Sequence, residues 1–78
     1  MARQMENYEY FQKELPDLLA DPLKLGKFVV VCDLSIKGLF DTADLAYRFA
    51  TNNSYEGFVI QQIIDKSRVV EYLAAATV

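Results

Sequence analysis

The stretch KFVVVCDLSIKGLFDTADLAYRFA, residues 27–50, decides the fold. It holds two short runs rich in apolar and β-branched residues, separated by Asp33, Leu34 and Ser35, and then an amphipathic segment. Such residues favour strands, and a short polar break between two strand-like runs is typical of a β-hairpin. The stretch therefore predicts a hairpin that leads directly into a helix.

The two runs of this hairpin differ in a way that predicts their places in the sheet. The first, residues 28–32, is continuously apolar, which indicates a central strand covered on both faces. The second, residues 36–40, is interrupted by Lys37 and Gly38, which predicts an edge strand with either a bulge or a close backbone approach at the glycine. Because an edge strand can accept a strand from another chain, we expect Ile36 and Lys37 to contact a partner.

The segment after the hairpin predicts a helix that begins at Asp41 or Thr42, two residue types that favour the N-cap position. Helical spacing gives this helix a wide apolar face, formed by Ala43, Leu45, Ala46, Tyr47, Phe49 and Ala50. Its three alanines would let the helix backbone lie close to the sheet, so a bulky replacement should overpack the contact.

Residues 1–25 predict a helical lead, in which Tyr8, Phe11 and Leu15 recur at helical spacing and Asn7 is available as a cap. Pro16 predicts a boundary or kink, because the residue before a proline is biased away from the helical conformation. Tyr8, Tyr10 and Phe11 cannot all pack inward from one short helix, so we expect Tyr10 to form an exposed contact with a partner.

Residues 58–64 predict a third strand, and residues 65–78 fit a helix or a strand equally well. Together these elements predict a single α+β domain over residues 1–78. It has a helical lead over residues 1–25, a ββαβ core over residues 26–64, and a C-terminal helix or strand over residues 65–78. We expect a small, mainly antiparallel sheet with the helices packed on one face.

This pattern resembles a family of small bacterial proteins known as the domain of unknown function DUF5678. The resemblance covers about forty residues, from Gly26-Lys27-Phe28 through Asp33, Gly38 and Phe40-Asp41-Thr42 to Phe58-Val59-Ile60-Gln61. In that family a glycine usually follows the hairpin aspartate, whereas here Leu34 does, so either the turn type or the register differs. The resemblance implies a ββαβ fold with an N-terminal helical lead, and it implies no activity.

Composition argues against several classes of function. The chain has no histidine and one cysteine, so the commonest general base and metal ligand is missing and an internal disulfide cannot form. It has neither a P-loop nor a dinucleotide glycine motif. We therefore expect no enzyme, no metal and no cofactor.

The charge pattern and the hydropathy of the chain limit its partners and its location. Its net charge is -3 and its eight basic residues are scattered, which disfavours nucleic acid as a partner. No apolar run approaches the roughly 18 residues of a membrane span, and residues 1–10 lack the apolar core of a signal peptide. We expect a cytoplasmic protein with no membrane partner.

One short motif suggests chemistry. Residues 39–44, LFDTAD, are similar to the signature of retroviral-type aspartic proteases, which would make Asp41 the centre of a carboxylate-only hydrolase. Ala43 stands where those enzymes have glycine, and helical spacing follows it. The aspartate and threonine are therefore better explained as residues at the start of a helix.

The surplus of aromatic residues, five tyrosines and five phenylalanines, favours an interaction surface in so small a domain. We expect a non-catalytic protein-interaction or self-association module whose partner is another protein or a second copy, in the latter case as a homodimer. The alternative is an acidic regulator that masks a basic protein, because acidic residues cluster in the first third of the chain at Glu6, Glu9, Glu14, Asp17 and Asp21.

Overall fold

The computed structural model describes residues 3–65 of the 78. The elements in chain order are α1 (Gln4–Leu19), β1 (Phe28–Cys32), β2 (Ser35–Phe40), α2 (Ala43–Asn52) and β3 (Val59–Gln62). The predicted α+β class and the order of a helix followed by ββαβ are confirmed. The helix-or-strand prediction for residues 65–78 lies outside the described residues, except for residue 65 itself.

The sheet has the order β2-β1-β3, and β1 pairs with both neighbours in antiparallel orientation. The two outer strands therefore run in the same direction, and α2 connects them by crossing one face of β1. Residues 29–32 of β1 are buried, which confirms that this apolar run forms the central strand.

The two helices lie on opposite faces of the sheet, so the prediction that they pack on one face is wrong. Val29 and Val31 pack in a cluster with Phe11 and Leu18 of α1 and with Ile63. Val30, whose side chain points to the other face, packs with Ala46 and Ala50 of α2. A strand without polar residues needs cover on both sides, and one helix on each side provides it.

The hairpin between β1 and β2 closes with a two-residue turn. Asp33 and Leu34 both have positive φ, 51° and 55°, and Cys32 pairs with Ser35. This is the conformation that an Asp-Gly turn of type I′ adopts, so Leu34 takes the place of glycine without changing the kind of turn. The predicted bulge is also present, since Val30 pairs with Gly38 and Val31 with Ile36, which leaves Lys37 as the extra residue.

Helix α1 runs without a break through Pro16, and the predicted boundary there is wrong. Asn7 does not cap the helix either, because the helix begins at Gln4 and Asn7 lies fully buried within its first half. Phe11 and Leu18 are buried against the sheet, and this packing outweighs the backbone hydrogen bond that a proline in a helix removes.

Helix α2 begins as predicted, with the Thr42 side chain accepting a hydrogen bond of 3.1 Å from the N–H of Leu45. It ends in a Schellman motif, in which the Tyr55 N–H donates to the Ala50 carbonyl and Ser54 has a positive φ of 56°. Its buried face is narrower than predicted, since Ala43, Leu45 and Tyr47 are exposed.

Candidate interaction site along the outer edge of strand β3

An open groove of about 620 Å³ runs along the outer edge of β3. One side of the groove is the N-terminal part of α1 and the other side is α2, and β3 lies between them. The lining residues are Gln4, Met5 and Tyr8 from α1, Tyr47 from α2, and Phe58, Val59, Ile60 and Gln61 along the strand. Because the helices cover opposite faces, the groove exposes the edge of the sheet between two walls.

The walls of the groove carry large apolar side chains in contact with solvent. Met5 is 68% exposed and Tyr47 is 56% exposed. On α1, Met5 lies beside β3 among the residues that line the groove. Exposed side chains of this size, gathered at one groove, are typical of an interaction surface.

The backbone of β3 offers hydrogen-bonding groups to this groove. The Ile63 N–H donates to the Lys27 carbonyl at 2.8 Å, and in an antiparallel ladder every second residue faces the partner strand. Val59 and Gln61 therefore bond toward β1, and Ile60 directs its N–H and C=O outward.

Two further contacts agree with this orientation. The Phe58 carbonyl accepts a hydrogen bond of 3.3 Å from the Gln4 side chain, and the Gln62 carbonyl accepts one of 3.0 Å from the Ile64 N–H. Both carbonyls therefore point away from β1. Within residues 3–65, no strand pairs with β3 on this side.

The two edges of the sheet differ in how they resist pairing with another chain. The β2 edge has a bulge, and the extra residue in that bulge is the charged Lys37. Bulges and edge lysines are features that discourage pairing between chains. Residues 57–64, GFVIQQII, contain no charge and no proline, and the pairing of β3 with β1 shows no irregularity.

The residues predicted to contact a partner do not form one surface. Tyr10 and Ile36 are both half-buried and pack against the buried cluster on the α1 face of the sheet, which consists of Phe11, Leu18, Val29, Val31 and Ile63. Lys37 lies on the opposite face, with its amine 5.8 Å from the centre of the Tyr55 ring. Their role as partner contacts stays a prediction.

Asp41 lies just before α2, exposed to solvent, and its carboxylate forms an ion pair with Lys27. The residues that follow Thr42 are helical, so this aspartate stands at a helix start and not in an open loop. The acidic residues of α1 include Glu6, Glu9 and Asp17 in exposed positions, and the hypothesis of an acidic regulator stays a prediction.

Cys32 is buried, and its thiol donates to the Glu56 carbonyl at 3.3 Å. No group of three or more cysteine, aspartate and glutamate side chains in residues 3–65 is placed to hold a metal ion. In the same part of the chain, neither helix has the length and apolar character needed to cross a membrane.

No protein-family model matches this chain, and comparison with curated proteins and with solved structures found no match. The resemblance to DUF5678 therefore stays a prediction.

The groove could not be found from the sequence, because its walls come from residues 4–8 and from Tyr47, which lie far apart in the chain. One signal was available: residues 57–64 form the longest stretch with neither a charge nor a proline that also favours a strand. Recognising that β3 lies at an edge required the sheet order.

Proposed function

We propose that this chain is a non-catalytic protein-interaction module that binds an extended, uncharged polypeptide segment along the outer edge of β3. The observation that supports this proposal is the combination of an edge strand that no other strand in residues 3–65 pairs with and exposed apolar side chains on both sides of it. Backbone hydrogen bonds to Ile60 would hold the added strand, as in other cases of strand addition.

The side chains that line the groove would determine which side chains of the added strand can be accommodated. Met5 and Tyr8 form the wall on the α1 face, and Tyr47 and Phe58, whose rings lie 6.3 Å apart, form the wall on the α2 face. None of the eight lining residues is charged. Successive side chains of a strand point to opposite faces, so a segment with apolar residues at consecutive positions would bury side chains on both walls. A charged segment would lose its hydration without gaining an ion pair.

The test is the binding of a labelled peptide that carries residues 57–64 of this chain, with lysines added at both ends for solubility. We expect fluorescence anisotropy to rise on titration with the full chain, and the backbone amide signals of Ile60 and Gln62 to shift. The control peptide has the same sequence with two adjacent central residues N-methylated, which removes one donor from each edge of the peptide strand.

Two substitutions test the location of the site. Met5→Lys and Tyr47→Lys place a charge on a wall of the groove at exposed positions, and each should weaken peptide binding. Leu23→Lys is the matched control, because Leu23 is 82% exposed and does not line the groove. Equal binding of the N-methylated peptide, or no binding of either peptide, would contradict the proposal.

A further inference from the structure

The β3 edge has the properties needed to pair with itself, and we infer that the segment it binds is β3 of a second copy of this chain. This inference rests on the proposed function. The two strands pair antiparallel with Ile60 on the two-fold axis. The product is a continuous six-stranded sheet of order β2-β1-β3-β3-β1-β2.

The hydrogen bonding of Ile60 suits this symmetry. In an antiparallel ladder a residue that directs both its N–H and its C=O outward can exchange two hydrogen bonds with the residue opposite. Ile60 is such a residue, and it is the middle residue of the outward-facing set Phe58, Ile60 and Gln62. A two-fold axis at Ile60 therefore places Phe58 of each copy opposite Gln62 of the other.

Charge favours this edge for self-pairing over the β2 edge. Residues 57–64 carry no charge, so two copies of β3 bring no like charges together. Pairing β2 with its own copy would bring two Lys37 side chains toward each other, and the bulge at that residue interrupts the ladder. Of the two edges of the described sheet, β3 is thus the one that a second copy fits.

The same symmetry accounts for the exposed walls of the groove. An axis perpendicular to the sheet puts α1 of both copies on one face and α2 of both copies on the other. Met5 of each copy then faces the corresponding wall of the second copy, and Tyr47 does the same on the opposite face. Both apolar walls of the groove are therefore covered when the two copies pair, each wall against the same wall of the other copy, as in an isologous dimer.

The first test is the molar mass of the full chain, measured by light scattering across a wide range of protein concentration. We expect a dimer that dissociates on dilution and does not grow further. Met5→Lys and Tyr47→Lys should each raise the dissociation constant by roughly tenfold or more, the effect of charging a buried contact, whereas Leu23→Lys should leave it unchanged.

The second test fixes the geometry through disulfide formation. Ile60→Cys should give a covalent dimer under mild oxidation, because only a residue near the two-fold axis meets its own copy. Leu39→Cys, on β2, should not, and the wild-type chain controls for the buried Cys32. A covalent dimer from Leu39→Cys but not from Ile60→Cys would overturn the inference in favour of the hairpin edge.

Amide hydrogen exchange at Ile60 separates the remaining outcomes. Protection that increases with protein concentration supports pairing with a second copy. Protection in a chain that stays monomeric at every concentration means that a segment of the same chain occupies the edge, which overturns this inference and leaves the proposed function standing. A monomer with no protection that still binds the strand peptide also overturns only the inference, whereas failure of the peptide as well overturns both.

Discussion

The side-chain oxygen of Asn7 accepts a hydrogen bond of 2.9 Å from the backbone N–H of Leu34, in the turn between β1 and β2. The amide nitrogen of the same side chain donates to the Gly57 carbonyl at 2.7 Å, just before β3. One fully buried polar side chain in α1 thus connects the hairpin turn with the loop that leads to the edge strand.

Asn7→Leu should destabilise the fold by about 2 to 4 kcal/mol, because it leaves the Leu34 N–H and the Gly57 carbonyl without their partner. The measurement is urea unfolding followed by circular dichroism. Glu9→Leu, at an exposed position of the same helix, is the control and should change stability by less than about 0.5 kcal/mol. If both variants unfold at the same urea concentration as the wild type, Asn7 does not stabilise the fold.

Leu34→Gly should stabilise the protein by about 0.5 to 1 kcal/mol. Leu34 has a φ of 55°, a conformation that costs a non-glycine residue roughly 1 to 2 kcal/mol, and glycine adopts it freely at some cost in chain entropy. The side chain is 49% exposed, so little burial is lost. Leu39→Gly, at a similarly exposed position without positive φ, should lower the melting temperature, and a fall in both variants would contradict the explanation.

Gly38→Ala should cost about 1 to 3 kcal/mol, since an added Cβ would lie 2.9 Å from two ring carbons of Phe40. That ring packs against Phe49, with their centroids 5.0 Å apart, and both rings lie on the buried cluster of Val30, Ala46 and Ala50, so a shift of the Phe40 ring would disturb this packing. A double-mutant cycle with Phe40→Leu gives the measurement. The alanine should be tolerated better once the ring is gone, and strictly additive effects would show that the ring is not the obstacle.

The elements that the sequence predicts well are those specified by local residues. The run of residues 28–32 indicates a central strand without reference to any other part of the chain. Thr42 caps α2 through a hydrogen bond to Leu45, which is only three residues away. Lys37 and Gly38 likewise mark the irregularity of β2 within β2 itself.

The features that sequence reasoning missed depend on contacts far apart in the chain. Asn7 resembles a helix cap until its partners, 27 and 50 residues away, are known. Pro16 reads as a helix end because nothing local shows that Phe11 and Leu18 will pack on the same sheet. The side of the sheet on which α1 lies cannot be read from its amphipathic pattern, since either face of an apolar strand accepts a helix.

Replacing an alanine of α2 by leucine should lower the stability of the fold where the alanine faces the sheet, and should have little effect where it is exposed. Ala46 and Ala50 are fully buried against Val30, so Ala46→Leu should destabilise the fold by about 1 to 3 kcal/mol through overpacking. Ala43→Leu is the matched control, because Ala43 is exposed at the first position of the helix. Thermal unfolding of both variants gives the measurement. If both lose the same stability, the loss comes from helix propensity and not from contact with the sheet.

Lys37→Ile should convert a closed dimer into larger assemblies. If β3 pairs with a second copy, the two β2 strands become the outer edges of the six-stranded sheet, and Lys37 is the charge that remains at each edge. Removing that charge leaves an uncharged edge strand at both ends of the six-stranded sheet. Each dimer can then pair with another dimer at either end, so assembly does not stop at a fixed size. Light scattering should therefore show growth beyond the dimer for Lys37→Ile, whereas Lys37→Arg, which keeps the charge, should remain a dimer. A Lys37→Ile variant that stays dimeric would show that the bulge alone protects the edge.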